Sequence, residues 1–88
     1  MQAVKRWSVA IDIDEHDGKT RAVARLDAGA TELTGVGVAR RSPEDQDVPQ
    51  IGDELAVARA LSELSHRLLD ATAADIERIT HQPAHVHI

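Results

Sequence analysis

The segment from Trp7 to Leu26 most constrains the fold, because its pattern predicts a β-hairpin with a defined register. Apolar residues alternate with polar or small ones along its first half, which is typical of a strand buried on one face. Asp17-Gly18 is a strong signal for a two-residue type I′ turn. Folding the chain there predicts the pairs His16–Lys19, Asp14–Arg21, Ile13–Ala22, Ile11–Ala24 and Val9–Leu26. Every apolar residue in these pairs then lies on one face of the hairpin.

A third strand is predicted after a turn near Gly29-Ala30. Pairing Leu26 with Leu33 places Gly35 and Gly37 on the apolar face of the sheet. Glycine weakens a strand unless another backbone must come close to it. We therefore expect a helix to lie tightly over these two glycines.

The remainder of the chain predicts two helices separated from the sheet by a polar, proline-containing loop over residues 41–52. Asp53 is the expected N-cap of a long amphipathic helix, and Thr72 to Asp75 has the spacing of a capping box for a short second helix. The fold class is therefore α+β: a three-stranded antiparallel sheet with both helices on one face. The predicted bounds are strands at about 5–14, 19–27 and 31–41, helices at about 54–70 and 73–81, and a tail at 82–88.

The composition limits how such a domain is stabilised and where it acts. The 88-residue chain has Trp7 as its single aromatic residue and no cysteine, so its core is aliphatic and has no disulfides. Small cores of this kind often need oligomerisation, which favours a homodimer. The net charge of −5 is unfavourable for non-specific nucleic-acid binding. No membrane-spanning run or signal peptide is recognisable, so we expect a cytoplasmic protein.

Several polar groupings could carry chemistry, but each has a simpler interpretation. The acidic turn Asp12 to Gly18 has its glycine out of place for an EF-hand calcium loop. His81, His85 and His87 could bind zinc or nickel, although no carboxylate follows to complete the site. Ser62, or Ser65 in its place, could combine with His66 and Asp70 as a nucleophile, yet one helix rarely forms a shielded pocket. We expect no catalytic residue, cofactor, metal or small-molecule substrate.

The strongest candidate surface is the sheet face opposite the helices. There, three arginines are predicted to surround three valines, a mixture that resembles protein interfaces. The same face could contact RNA phosphates or be an ordinary solvated surface. These residues, called here the arginine face, are Arg21, Val23, Arg25, Val36, Val38 and Arg40.

Long runs of the chain resemble a family of small actinobacterial proteins of unknown function. The resemblance is carried by Trp7 to Leu26, Gly35 to Arg40, Pro49 to Leu61, Asp75 to Glu77 and Thr80 to Pro83. The family includes mycobacterial proteins linked to hypoxia and dormancy. Its fold is similar to double-stranded-RNA-binding domains and has been compared with ribosome hibernation factors, so the resemblance implies a β-β-β-α core.

Two functional hypotheses follow for this chain. The first, implied by the resemblance, is a non-enzymatic stress or dormancy protein that associates with the ribosome in the manner of hibernation factors. The second is a homodimeric protein-interaction module with no nucleic-acid role. The two differ in salt dependence, since RNA binding weakens steeply with added salt and an apolar interface does not.

Overall fold

The computed structural model describes residues 3–41 and 48–87. Three strands, β1 (Ser8–His16), β2 (Lys19–Asp27) and β3 (Glu32–Arg40), are followed by one helix, α1 (Pro49–Thr80). The strands form an antiparallel sheet in the order β1-β2-β3, and the helix packs on one face of it. This confirms the α+β class and the three-stranded sheet.

The predicted register is confirmed in both strand pairs. Ile13 lies opposite Ala22, and Leu26 lies opposite Leu33. The first turn has positive φ at both central residues, 51° at Asp17 and 71° at Gly18, as a type I′ turn requires. Since side chains alternate between faces, the odd-numbered residues of β1 and β3 and the even-numbered residues of β2 lie on the helix side.

The helix lies against β2 and β3 because two glycines let the backbones meet. A Cβ atom at Gly35 would lie 2.5 Å from the Leu64 backbone nitrogen, and one at Gly37 would lie 2.8 Å from the Arg59 carbonyl carbon. Only hydrogen in place of a side chain permits this approach, as expected from the sequence. The core between the layers is correspondingly small and aliphatic: Ala22, Ala24, Leu26, Ala39, Ala56, Ala60 and Leu64.

The prediction of two helices is wrong, because α1 continues without a break to Thr80. The Thr72 hydroxyl donates to the Leu68 carbonyl one turn earlier, at 2.8 Å, instead of capping a new helix. Residues around it favour continuation, since alanine has the highest helix propensity. The capping-box spacing from Thr72 to Asp75 therefore occurs inside a continuous helix.

The helix also begins earlier than expected. Asp53 is not its N-cap: Val48 occupies that position and Pro49 starts the first turn, where its fixed φ and missing N–H are tolerated. Of the predicted loop, residues 42–47 lie outside the described residues, and residues 49–52 belong to α1. Gly52 faces β2, where a Cβ would lie 2.9 Å from Thr20 Oγ1.

The C-terminal part of the chain follows the end of the helix. His81 ends the helix in the left-handed conformation, with φ of 59°, and donates its N–H to the Glu77 carbonyl. Residues 82–87 form no regular element. Across the described parts of the chain, no helix combines the length and the hydrophobicity needed to cross a membrane.

Candidate protein interface

The first strand carries an apolar row that the helix does not cover. We call Trp7, Val9, Ile11 and Ile13 the β1 row; the last three lie on the helix side of β1, and Trp7 directly precedes the strand. Their exposed fractions are 57, 44, 38 and 45%. The alternating pattern predicts a strand whose apolar face is buried, and this is wrong for β1, since all nine of its residues are exposed. A helix about 10 Å wide spans roughly two strands at 4.8 Å spacing, and α1 lies over β2 and β3.

A shallow groove continues the β1 row onto the helix. It has a volume of about 450 Å³ and runs between Ile13 and the facing residues Val57, Ala58 and Leu61. Asp53 and Glu54 border it. Leu61 is an exposed large apolar residue in its own right. The groove and the row thus form one apolar surface with an acidic border, the general composition of a protein interface.

The two outer strands of the sheet have different edges. At the β3 edge, helix side chains satisfy the backbone: Glu63 Oε1 accepts from the Val36 N–H at 3.4 Å, and Arg59 donates to the Val38 carbonyl at 2.6 Å. At the β1 edge, all nine residues of the strand are exposed, and none of them is proline. An open edge strand is a ready template for pairing with another chain.

The arginine face is placed as predicted on the side of the sheet away from α1, but its valines are less exposed than the prediction required. Val23 is only 8% exposed, and Val36 and Val38 are half-buried. Arg21, Arg25 and Arg40 are all exposed. This face therefore presents charged side chains over a valine-filled centre and has no large apolar patch.

Acidic residues balance the basic ones on this face. Arg25 donates to Asp12 at 3.0 Å, and these two residues are diagonal neighbours across β1 and β2. Asp14 lies directly opposite Arg21, as predicted. Strand alternation assigns four basic and four acidic residues to the face: Lys19, Arg21, Arg25 and Arg40, with Asp12, Asp14, Asp27 and Glu32. Asp27 and Glu32 are direct neighbours across β2 and β3, and the Asp27 carboxylate accepts from the Gly29 N–H.

The remaining candidates are dispersed on the surface. Ser62, His66 and Asp70 lie on exposed parts of α1, and the His66 ring contacts the Ser62 backbone carbonyl rather than its hydroxyl. Ser65 is half-buried on the same helix. Within residues 3–41 and 48–87, no three His, Asp or Glu side chains are grouped so that they could hold a metal ion. This holds equally for the acidic turn and for His81, His85 and His87.

A cavity of about 380 Å³ lies at the turn end of the sheet, between the β2–β3 surface and the start of α1. Thr20, Arg40 and Leu55 contribute to its lining, together with Arg41 and Pro49. Arg41 and Val48, which flank residues 42–47 in the sequence, both line this cavity.

Sequence reasoning missed the helix half of the apolar surface and the openness of the β1 edge. The apolar spacing of the helix places both Val57 and Leu61 in its buried stripe, but only Val57 packs partly against the core and Leu61 is exposed. Periodicity cannot tell which part of such a stripe the sheet covers. One signal was available: a single long helix is too narrow to cover three strands. The predicted second helix concealed that mismatch.

The observed architecture defines a class of small α+β proteins, in which a three-stranded antiparallel meander is half covered by one long helix. Within that class the chain belongs to the Rv2632c-like family, whose model matches residues 5–85.

Relatives in mycobacteria extend over most of the chain. The uncharacterized protein Mb1767 of Mycobacterium bovis is 58% identical over 81 residues, which cover 92% of this chain and 86% of that protein. The uncharacterized protein Rv2632c of Mycobacterium tuberculosis is 52% identical over 79 residues, covering 90% and 85%. The crystal structure of Rv2632c matches with a TM-score of 0.84 and 50% identity, covering 93% of this chain and 98% of that one. These relatives support a small actinobacterial family of unknown function.

Proposed function

We propose that this chain is a non-enzymatic protein-interaction module of the cytoplasm, which binds protein through the β1 row and the adjoining groove on α1. The proposal rests on the exposed β1 row, most of which lies on the helix side of β1. The alternation of apolar residues along the strand predicts that this side is buried. Contiguous exposed apolar surface with a polar border commonly marks a site for another protein.

The charge distribution supports a protein partner over a nucleic acid. Nucleic-acid affinity depends largely on neutralising phosphates with Lys and Arg. Here the net charge is −5, and the arginine face carries as many carboxylates as basic groups. The groove on the other side is bordered by Asp53 and Glu54, which would repel phosphates.

Site-specific photocrosslinking in the producing cell tests the proposal. A photoreactive amino acid at Ile11, in the β1 row, should form covalent adducts with protein. The same amino acid at Arg21, exposed on the opposite face, is the matched control and should form few. Equal yields at the two positions, or adducts with nucleic acid at Ile11, would contradict the proposal.

A ribosome-associated role in stress or dormancy is the alternative function. A fold similar to double-stranded-RNA-binding domains is part of this alternative. One observation favours it: Arg21, Arg25 and Arg40 are exposed together on one side of the sheet. Replacing all three with Glu would then abolish co-sedimentation with ribosomes, and added salt would weaken the wild-type association. Absence of the wild-type protein from the ribosomal fraction at low salt would exclude this role.

A further inference from the structure

We infer that the protein bound at the β1 edge is a second copy of this chain, whose β1 pairs antiparallel with the first about a two-fold axis at Ala10. The inference rests on the proposed function and adds the partner and the register. Pairing in this way joins the two three-stranded sheets into one continuous six-stranded sheet with both helices on the same side.

Hydrogen bonding elsewhere in the sheet shows which residues of β1 are available for pairing. The Val36 N–H bonds to Glu63, so Val36 directs its backbone groups away from β2. Because these directions alternate in an antiparallel ladder, Val23 opposite it directs its groups to Asp12 of β1. Even-numbered residues of β1 therefore bond to β2. The residues that present N–H and C=O groups at the free edge are Val9, Ile11, Ile13 and Glu15.

The side chains of β1 complement themselves in one register. With Ala10 opposite the partner's Ala10, the helix side pairs Val9 with the partner's Ile11 and Trp7 with the partner's Ile13, which extends the apolar row across the axis. Opposite charges meet at the ends. The complete set of pairs is Lys5–Glu15, Arg6–Asp14, Trp7–Ile13, Ser8–Asp12 and Val9–Ile11, each occurring twice. Opposite-charge and apolar cross-strand pairs both stabilise a sheet.

Neighbouring registers lack this complementarity. An axis at Ile11 places Trp7 opposite the partner's Glu15 and Ser8 opposite its Asp14. An axis at Asp12 places that carboxylate opposite its own copy, and like charges directly opposite destabilise a strand pair. An axis at Val9 places Lys5 opposite the partner's Ile13 and Val4 opposite its Asp14. Of these registers, only the axis at Ala10 pairs both Lys5 and Arg6 with a carboxylate, and this charge pattern favours it.

Pairing also accounts for the start of the strand. Apolar alternation in the sequence predicts a strand from about residue 5, yet β1 begins at Ser8, where β2 ends opposite it at Asp27. Residues 5–7 have no neighbouring strand in the single chain. In the pair, the partner's Ile13 to Glu15 supply one, and the strand reaches its predicted length.

Single-cysteine variants test the register, because the natural chain has no cysteine. Ala10 bonds to β2, so the two Ala10 residues form a non-hydrogen-bonded pair with Cα atoms about 4.5 Å apart. That distance permits a disulfide. Oxidised A10C should therefore run as a covalent dimer on a non-reducing gel.

Matched controls on the same face are S8C and D12C. Each lies about 13 Å from its own copy in this register, too far for a disulfide. Neither should cross-link alone, whereas an equimolar mixture of the two should give the mixed dimer. Cross-linking of D12C alone, with A10C remaining monomeric, would overturn the inferred register.

A charge exchange tests the end pairs with the disulfide absent. Lys5→Glu should raise the dimer dissociation constant roughly five- to thirtyfold, because two attractive pairs per dimer become repulsive. Adding Glu15→Lys should restore affinity, since Glu15 lies opposite the uncharged Thr20 within its own chain. Failure of the double variant to recover would contradict the Lys5–Glu15 pair.

The oligomeric state separates this inference from the proposed function. Light scattering of the purified wild-type chain should give twice the mass of one chain. A monomeric mass at high protein concentration would overturn self-pairing. If photocrosslinking at Ile11 then captures a different protein, the interaction module stands with another partner; if it captures none, both proposals fail.

Discussion

Gly35 and Gly37 determine how closely the helix and the sheet approach each other. Hydrogen at these positions lets the carbonyls of Ala56 and Ala60 rest on the strand backbone, so alanine is sufficient to fill the remaining core. The close contact also explains why the chain needs no Phe or Tyr. A layer spacing set by main-chain atoms leaves no space for an aromatic ring.

Substituting Gly35 with Ala should lower the free energy of unfolding by about 3 kcal/mol, because the new Cβ overlaps the helix backbone and neither layer can yield by rotating a side chain. Chemical denaturation measures the change. Thr34→Ala, one residue earlier on the opposite face, is the control and should change stability by less than about 1 kcal/mol. Equal effects at the two positions would mean that the close approach is not what constrains Gly35.

The helix shows how far an element can be predicted from local sequence. Its apolar spacing was recognisable because it depends on neighbours within one or two turns. Its position over Gly35 and Gly37 was recognisable because glycines within a strand indicate the close approach of another backbone. Its length was not, because a threonine at Thr72 fits a capping box or bonds back to the preceding turn with equal local plausibility. In the structure, Thr72 bonds back to the Leu68 carbonyl of the preceding turn.

Replacing Thr72 with Ala should therefore leave stability unchanged or slightly raise it. Alanine has the higher helix propensity, and the lost hydroxyl bond is internal to an exposed helix. Loss of an N-cap would instead cost about 1 kcal/mol. Thermal unfolding followed by circular dichroism distinguishes the two outcomes, and a clear fall in helix content would restore the two-helix interpretation.

At the scale of the whole molecule, the sheet is covered unevenly. The helix is about 48 Å long and the strands about 30 Å, and the molecule measures 52 × 35 × 18 Å. The hairpin register was predictable because a one-residue slip would reverse the faces of every side chain. Which strand remains uncovered was not, because that depends on how the helix crosses the sheet.

Asp in place of Ile11 should give a folded monomer, since the β1 row contributes little to the core beneath the helix. In the wild type, the midpoint of thermal unfolding should rise with protein concentration, because dimerisation stabilises only the folded chain. In Ile11→Asp it should not.

Ile79→Asp provides the comparison, as Ile79 is equally apolar, 74% exposed and distant from β1 on the last turn of α1. It should keep the concentration dependence. If the midpoint of thermal unfolding of the wild type did not change with protein concentration, dimerisation through the β1 row would be contradicted.

The position of Trp7 has a practical consequence. The only indole of the chain stands immediately before β1, outside the aliphatic core. Its intrinsic fluorescence therefore reports the environment of the strand edge and not the assembly of the core. Emission should shift to shorter wavelength as concentration rises and the indole is covered. In dilute samples, denaturant should unfold the helix with little spectral change, so a signal normally read as folding will here report association.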